Sequence, residues 1–181
     1  MNLFLIRHGQ RQNFNNEDSL LSVIGKKQAL LTASWLRQFK IDILLSSPKQ
    51  RTLETARIIS KETGLKIVID DTFLERVEDK TLSPSRFTLD SFDSNNGKNI
   101  QRYLSRLDAK AEKNIVLVTH ASTIADFLYV VLDSEVIGKK IPIFIKRGKY
   151  SIPECSITIV TIEKHKYFLQ TFAQTRHLTK Q

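Results

Sequence analysis

Apolar residues recur along this chain in two distinct periods, and their alternation gives the elements. Short, mostly apolar runs occupy 3–6, 41–45, 67–69 and 115–118, the length and composition of strands buried on both faces. Between them the apolar positions take helical spacing. They are Ala29, Leu30, Ala33 and Leu36 within 22–38, then Leu53, Ala56, Ile58 and Ile59 after Pro48. Ile100, Tyr103, Leu104, Leu107 and Ala111 follow within 98–113, and Ile124, Phe127, Leu128, Val131 and Leu132 directly after His120. Two β-rich runs, 157–162 and 167–172, close the chain and predict an antiparallel hairpin. Strands alternating with helices predict an α/β fold. The form expected is a three-layer α/β/α sandwich with a mainly parallel central sheet and an antiparallel edge hairpin.

Turn and cap residues divide these elements. Ser22 is placed to cap the first helix, and Gly25 in its first turns costs up to about 1 kcal/mol relative to alanine, which points to close packing. Ser47-Pro48-Lys49-Gln50 has the pattern of a capping box with proline in the first helical position, so a helix is predicted from Pro48 to a stop at Gly64. Residues 10–20 are polar and read as a loop over a crevice. Residues 79–97 carry Pro84 and the turn signal Asn95-Asn96-Gly97, and read as a surface excursion or small lid. A basic loop at 139–149 carries Lys139, Lys140, Lys146, Arg147 and Lys149, a solvated face able to steer a polyanionic substrate. No repeat or linker divides the chain, and 1–181 is read as one domain.

The strand ends carry the candidate chemistry. The first run stops on Arg7-His8-Gly9 and the fourth on Thr119-His120, while the helix after the second run holds Arg51 about one turn from its start. In a parallel sheet all of these lie at the carboxyl edge, where ligand crevices form. Two arginines and two histidines there make an anion site, because guanidinium groups bind phosphate oxygens bidentately and stay charged. Neighbouring arginines also disfavour protonation of a histidine, which leaves an imidazole lone pair able to attack phosphorus. Glu75, just past the third strand, is positioned to protonate a leaving alkoxide.

Composition narrows the partners. With 181 residues, 41% hydrophobic and 26% charged, the chain has the make-up of an ordinary globular domain. No apolar run approaches the roughly 18 residues needed to span a bilayer, and the N-terminus lacks signal-peptide regions, so a cytoplasmic location and no membrane partner are expected. The single cysteine, Cys155, excludes an internal disulfide and cannot by itself build a zinc site. A net charge of +9 favours an acidic partner. Aromatic and basic residues do not interleave as in a base-stacking groove, so a phosphorylated small molecule is favoured and no nucleic acid is expected.

The motifs resemble those of the histidine phosphatase superfamily, the phosphoglycerate mutase-like group. Arg7-His8-Gly9 resembles its signature triplet, and the stretch from Leu21 through Gly25 to Ala29 is similar to the block that follows it. The stretch Ser46-Ser47-Pro48-Lys49-Gln50-Arg51-Thr52-Leu53-Glu54-Thr55-Ala56 resembles the second block almost letter for letter. Val118-Thr119-His120-Ala121-Ser122 is similar to the block holding the second histidine, and Cys155 to Thr158 and His177-Leu178 resemble the usual ending. The resemblance implies a metal-independent phosphomonoester hydrolase without a cofactor. In it His8 is the nucleophile that becomes phosphohistidine, Arg7 and Arg51 clamp the phosphoryl oxygens, His120 stabilises the transition state and Glu75 donates the proton. The chain departs from the pattern at Arg11, where threonine is usual, at Phe14 in place of an asparagine, and at Ala121-Ser122 in place of Gly-Gly. Arg11 is a further candidate phosphate contact. The Gly and Trp usual after the acidic residue are absent from Arg76-Val77-Glu78-Asp79, which makes Glu78 a rival proton donor. A phosphoglycerate mutase, a phosphoprotein phosphatase and a non-catalytic phosphate-binding module are the alternatives. His165 and His177 are read as structural.

Overall fold

The computed structural model describes residues 1–13, 15–16, 18–75, 94–107, 113–132 and 152–179. Phe14, Glu78, residues 79–93 of the expected lid and the basic loop 139–149 lie outside the described residues. The elements run β1 (Asn2–Arg7), α1 (Val23–Leu36), β2 (Ile43–Ser46), α2 (Gln50–Thr63), β3 (Ile67–Ile69), α3 (Ser94–Arg106), β4 (Asn114–Thr119), α4 (Ala121–Val131), β5 (Ile157–Glu163) and β6 (Lys166–Gln174). Short 3₁₀ turns follow β3 at Asp71–Phe73 and β6 at Arg176–Leu178. None of the described helices is long and apolar enough to cross a membrane.

Among the described residues six strands form one sheet in the order β3-β2-β4-β1-β5-β6. The β3-β2-β4-β1 half is parallel, and β5 and β6 add to it antiparallel, with the predicted hairpin at the edge. The period-2 alternation of strand side chains divides the core by face. Leu3 and Leu5 join Ile115 and Leu117 under α3 and α4, in a cluster with Ile100, Leu104, Ile124 and Phe127. Phe4 and Ile6 join Val116 and Val118 under α1 and α2, with Ala33, Leu36, Ala56 and Ile59. This is the expected three-layer arrangement, and burial explains the continuous apolar runs. All four residues of Leu3–Ile6 are at most 2% exposed, each burial contributing about 1.5–3 kcal/mol.

Register aligns the strand ends. Arg7 pairs with Thr119 across β1 and β4, and Ser46 pairs with Val118 across β2 and β4. The residues that follow, His8 and His120, therefore leave the sheet level with one another, with Ser47 one residue behind them.

Two local expectations are corrected. Helix α2 starts at Gln50 with Lys49 as N-cap and makes no side-chain cap bond, so the Ser47 capping box does not form. Ser47 is used elsewhere: its N–H donates to Val118 O at 3.0 Å, its carbonyl accepts from Thr52 Oγ1 at 2.8 Å, and its hydroxyl lies 2.9 Å from His120 Nε2. The helix end is served by Asp18, whose Oδ1 accepts from the Gln50 N–H at 3.1 Å. Second, α3 begins at Ser94, so Asn95-Asn96-Gly97 form its first turn instead of a loop turn. Gly97 is there for contact with α4, since a Cβ at this position would lie 2.3 Å from Asp126 O. Asn96 Nδ2 also donates to Asp126 Oδ2 at 3.0 Å.

Helix α1 begins as predicted, with Ser22 Oγ accepting from Gly25 N–H at 3.0 Å, and α2 ends on Gly64 in the left-handed region at φ 75°. The packing inferred at Gly25 is severe: a Cβ there would lie 2.1 Å from the carbonyl oxygen of Gln10. Gly9 and Gln10 thus rest directly on the α1 backbone. Gly25→Ala is expected to lower stability by about 1–3 kcal/mol through overpacking. The check is the urea midpoint, and a variant with an unshifted midpoint would contradict the contact.

Candidate active site

His8 is the first residue beyond β1 and is 3% exposed. Its backbone N–H donates to Thr119 O at 3.0 Å, which fixes the chain as it leaves the sheet. The ring Nδ1 lies 2.8 Å from Gly9 O. A carbonyl only accepts, so Nδ1 carries the proton and Nε2 keeps its lone pair. Gly9 N–H donates to Thr55 Oγ1 at 3.0 Å, and a Cβ on Gly9 would lie 2.6 Å from Gly25 O. The turn after His8 is therefore clamped between α1 and α2.

His120, the first residue beyond β4, is fully buried, and its ring centroid lies 5.5 Å from that of His8. Arg51 Nη2 approaches His120 Nδ1 at 3.0 Å. A guanidinium only donates, so Nδ1 accepts, and the neutral ring carries its proton on Nε2, which donates to Ser47 Oγ at 2.9 Å. The two histidines therefore hold opposite tautomers, each fixed by its own neighbours.

Arg51 is 1% exposed, in the first turn of α2. Its Nη2 pairs with Glu75 Oε2, which lies 3.8 Å from His120 Nδ1. Glu75 reaches this place because the 3₁₀ turn before it is anchored to β4 and α4. Thr119 Oγ1 donates to Phe73 O at 2.7 Å and Thr123 Oγ1 to Leu74 O at 3.0 Å. Arg7 is held from the other side: Nη1 donates to Ile152 O at 2.5 Å and Nη2 pairs with Glu154 Oε1 at 3.2 Å. Arg7 Nε is buried with no acceptor among the described residues. Arg11 sits in a one-residue bridge with Leu21, near enough that its charge lowers the pKa of both His8 and Arg51.

Burial and surrounding cations act in the same direction on both histidines. His8 is held well below 6.5 chiefly by burial, then by Arg7, with Arg51 and Arg11 adding to it and the Gly9 carbonyl opposing. His120 is held well below 6.5 by burial, then by His8, Arg51, Lys49 and Arg7. Cys155 is no thiol nucleophile, since burial pushes it up to about 12. Its backbone N–H serves instead as a clasp, donating to Arg7 O at 3.0 Å and His8 O at 3.2 Å. His177 plays the structural part expected of it, buried with Nε2 within 3.1 Å of Cys155 O and 3.0 Å of Thr32 Oγ1. Among the described residues no three His, Cys, Asp or Glu side chains cluster closely enough to hold a metal ion.

The structure thus brings Arg7, His8, Arg51, Glu75 and His120 to one edge of the sheet, with Arg11 beside them. The motif reading missed Ser47, Thr55, Asp18 and Glu154. Ser47 stood at the end of a strand, a signal outweighed by its fit to a helix cap. Because the folded histidines resist charging, protons bind the unfolded chain first as pH falls below about 6.5. Stability is therefore expected to hold above that pH and to decline below it. Urea midpoints from about pH 7.5 to 5 check this. The double variant His8→Asn/His120→Asn should show a flatter decline, and one as steep as wild type would contradict the assignment.

Comparison with known proteins agrees with the geometry. Residues 3–81 match the histidine phosphatase superfamily (branch 1). A probable phosphoglycerate mutase of Yersinia enterocolitica is 38% identical over 76 residues, which are 39% of this chain and 35% of that protein, so the match spans about a third of the relative's length. A putative phosphoserine phosphatase of Hydrogenobacter thermophilus is 26% identical over 155 residues, covering 67% of this chain and 74% of the other. In three dimensions the phosphoserine phosphatase of Entamoeba histolytica, solved with 3-phosphoglyceric acid, has the same fold, with a TM-score of 0.75 at 20% identity over 98% of both chains. The matched segment carries Arg7, His8, Arg51 and Glu75, and β4 delivers His120 to them by pairing with β1. Residues 3–81 thus match the histidine phosphatase superfamily, and the chain as a whole has the fold of the phosphoserine phosphatase.

Proposed function

We propose that the protein is a phosphomonoester hydrolase working through a phosphohistidine on His8. One observation carries the reading: burial, then Arg7, disfavours a charge on His8, its Nδ1 lies on Gly9 O, and this leaves the Nε2 lone pair in a buried cradle shared with Arg51 and His120. In the first step Nε2 attacks phosphorus and the P–O ester bond breaks. Glu75, released from Arg51 as the substrate phosphate replaces it, takes up a proton from solvent and passes it to the leaving oxygen. In the second step water attacks the phosphohistidine, Glu75 takes up its proton, and inorganic phosphate leaves. Arg51 exchanges Glu75 for phosphoryl oxygens as substrate enters. Arg7 adds a second guanidinium whose buried Nε lacks an acceptor among the described residues, and Arg11 adds positive charge at the rim. His120 stabilises the transferring group. No resident metal or cofactor takes part in these steps.

A phosphorylated small molecule is the substrate class proposed, in keeping with the phosphoserine and 3-phosphoglycerate named for the relatives. Hydrolysis of an aryl phosphate in the presence of a chelator is the test. Wild type is expected to turn over, and His8→Ala to lose about 10³-fold or more. Glu75→Gln should lose about 10²-fold on an alkyl phosphate and much less on a nitrophenyl phosphate, whose leaving group needs no proton. No turnover by wild type, or undiminished turnover by His8→Ala, would overturn the proposal. Formation of a second phosphoglycerate at the expense of free phosphate would favour the mutase alternative.

A further inference from the structure

We infer that Ser47 is a positioning residue for this reaction: its hydroxyl holds the Nε2–H of His120 and thereby makes Nδ1 the nitrogen that faces the phosphoryl site. The inference rests on the phosphoryl-transfer reading above. It begins with an apparent waste. Ser47 stands before Pro48 in the sequence of a capping box, yet α2 starts later and goes without a side-chain cap, an interaction ordinarily contributing about 1 kcal/mol. The hydroxyl is instead 2.9 Å from His120 Nε2, across 73 residues of chain.

Ser47 is a rigid support. It is fully buried, its N–H is tied to Val118 O at 3.0 Å, and Thr52 Oγ1 holds its carbonyl at 2.8 Å. The groups around His120 leave one arrangement of protons. Arg51 donates to Nδ1 from α2, and Glu75 lies 3.8 Å from the same nitrogen, while His8 faces the ring from the end of β1. Lys49 and Arg7 add positive charge from further away. With Nε2–H occupied by Ser47, a proton that a phosphomonoester monoanion gives up to the ring can go only to Nδ1, beside Arg51 and Glu75. His120 then becomes a donor toward the phosphoryl oxygens without turning over. Among the described residues Ser47 is the one partner of Nε2, so without it the other tautomer, or a flipped ring, becomes competitive.

The test combines the tautomer with kinetics. In ¹⁵N-labelled wild type, His120 is expected to be neutral at pH 7 with its proton on Nε2, and a proton on Nδ1 would overturn the inference whatever the variants do. Ser47→Ala is expected to give mixed tautomers and to lower kcat about tenfold with little change in KM, the effect of one lost orienting hydrogen bond. Ser47→Thr, which keeps the hydroxyl, should restore the single tautomer and most of kcat. If Ser47→Ala keeps the Nε2–H tautomer and full kcat, the inference fails while the hydrolase reading stands. If wild type does not turn over, the hydrolase reading fails even where the tautomer is as stated.

Discussion

Arg51 is a cation carried to 1% exposure against the His120 imidazole, and the rest of the site is arranged around keeping that charge inside. Removing a guanidinium from water costs several kcal/mol unless it is paired and hydrogen-bonded. Glu75 supplies the direct counter-charge, Asp18 a more distant one, and His120 Nδ1 a neutral acceptor. Burial first of all holds both histidines well below the usual imidazole range, with Arg7 next for His8 and His8 next for His120, and the buried Arg51 charge adds to it in both. The proposed reaction needs a neutral nucleophile, so on that reading the burial that makes the site costly to fold also readies His8 for attack. An anionic substrate relieves the constraint, because it provides acceptors for Arg51 and Arg7 together.

That arrangement depends on the sheet. Parallel pairing of β1 with β4 and of β2 with β4 brings the ends of three strands within one residue of level, so His8, Ser47 and His120 emerge side by side although the first and last are 112 positions apart. The antiparallel β5 has its start at the same edge, which is how Ile152, Glu154 and Cys155 come to hold Arg7 and the His8 turn. The glycine contacts complete the frame: Gly9 lies against Gly25, and Gly25 against Gln10, at separations only glycine permits. The turn that carries His8 is thereby held by close backbone contacts together with the Thr55 hydroxyl.

Much of this was legible in the sequence, for identifiable reasons. Strands buried on both faces must be continuously apolar, so β1 and β4 could be read directly, and the polar residues that ended them marked the edge with the chemistry. Helix α4 and the hairpin followed from period alone. The start of α2 was misread because Ser47 suits a helix cap as well as it suits an imidazole, and only tertiary pairing decides which partner it takes. The start of α3 was misread because Asn95-Asn96-Gly97 has turn composition, whereas Gly97 is required by contact with Asp126 of α4. Thr55 and Glu154 were invisible for a simpler reason. Their partners, Gly9 and Arg7, lie 46 and 147 residues away, and no local pattern records a contact made by folding. Of the two acidic candidates, Glu75 is the one seen in contact with Arg51, while Glu78 lies outside the described residues.

The central claim is that the phosphoryl group passes through Nε2 of His8. A single-turnover experiment with protein in excess over a phosphomonoester, quenched in alkali to preserve phosphoramidates, tests it directly by mass spectrometry and ³¹P NMR. The account predicts a phosphorylated intermediate in the first turnover, confined to His8 and bonded at Nε2. Phosphate released with no phosphorylated protein at any time in that turnover, or a phosphoryl group on any other side chain, would contradict it.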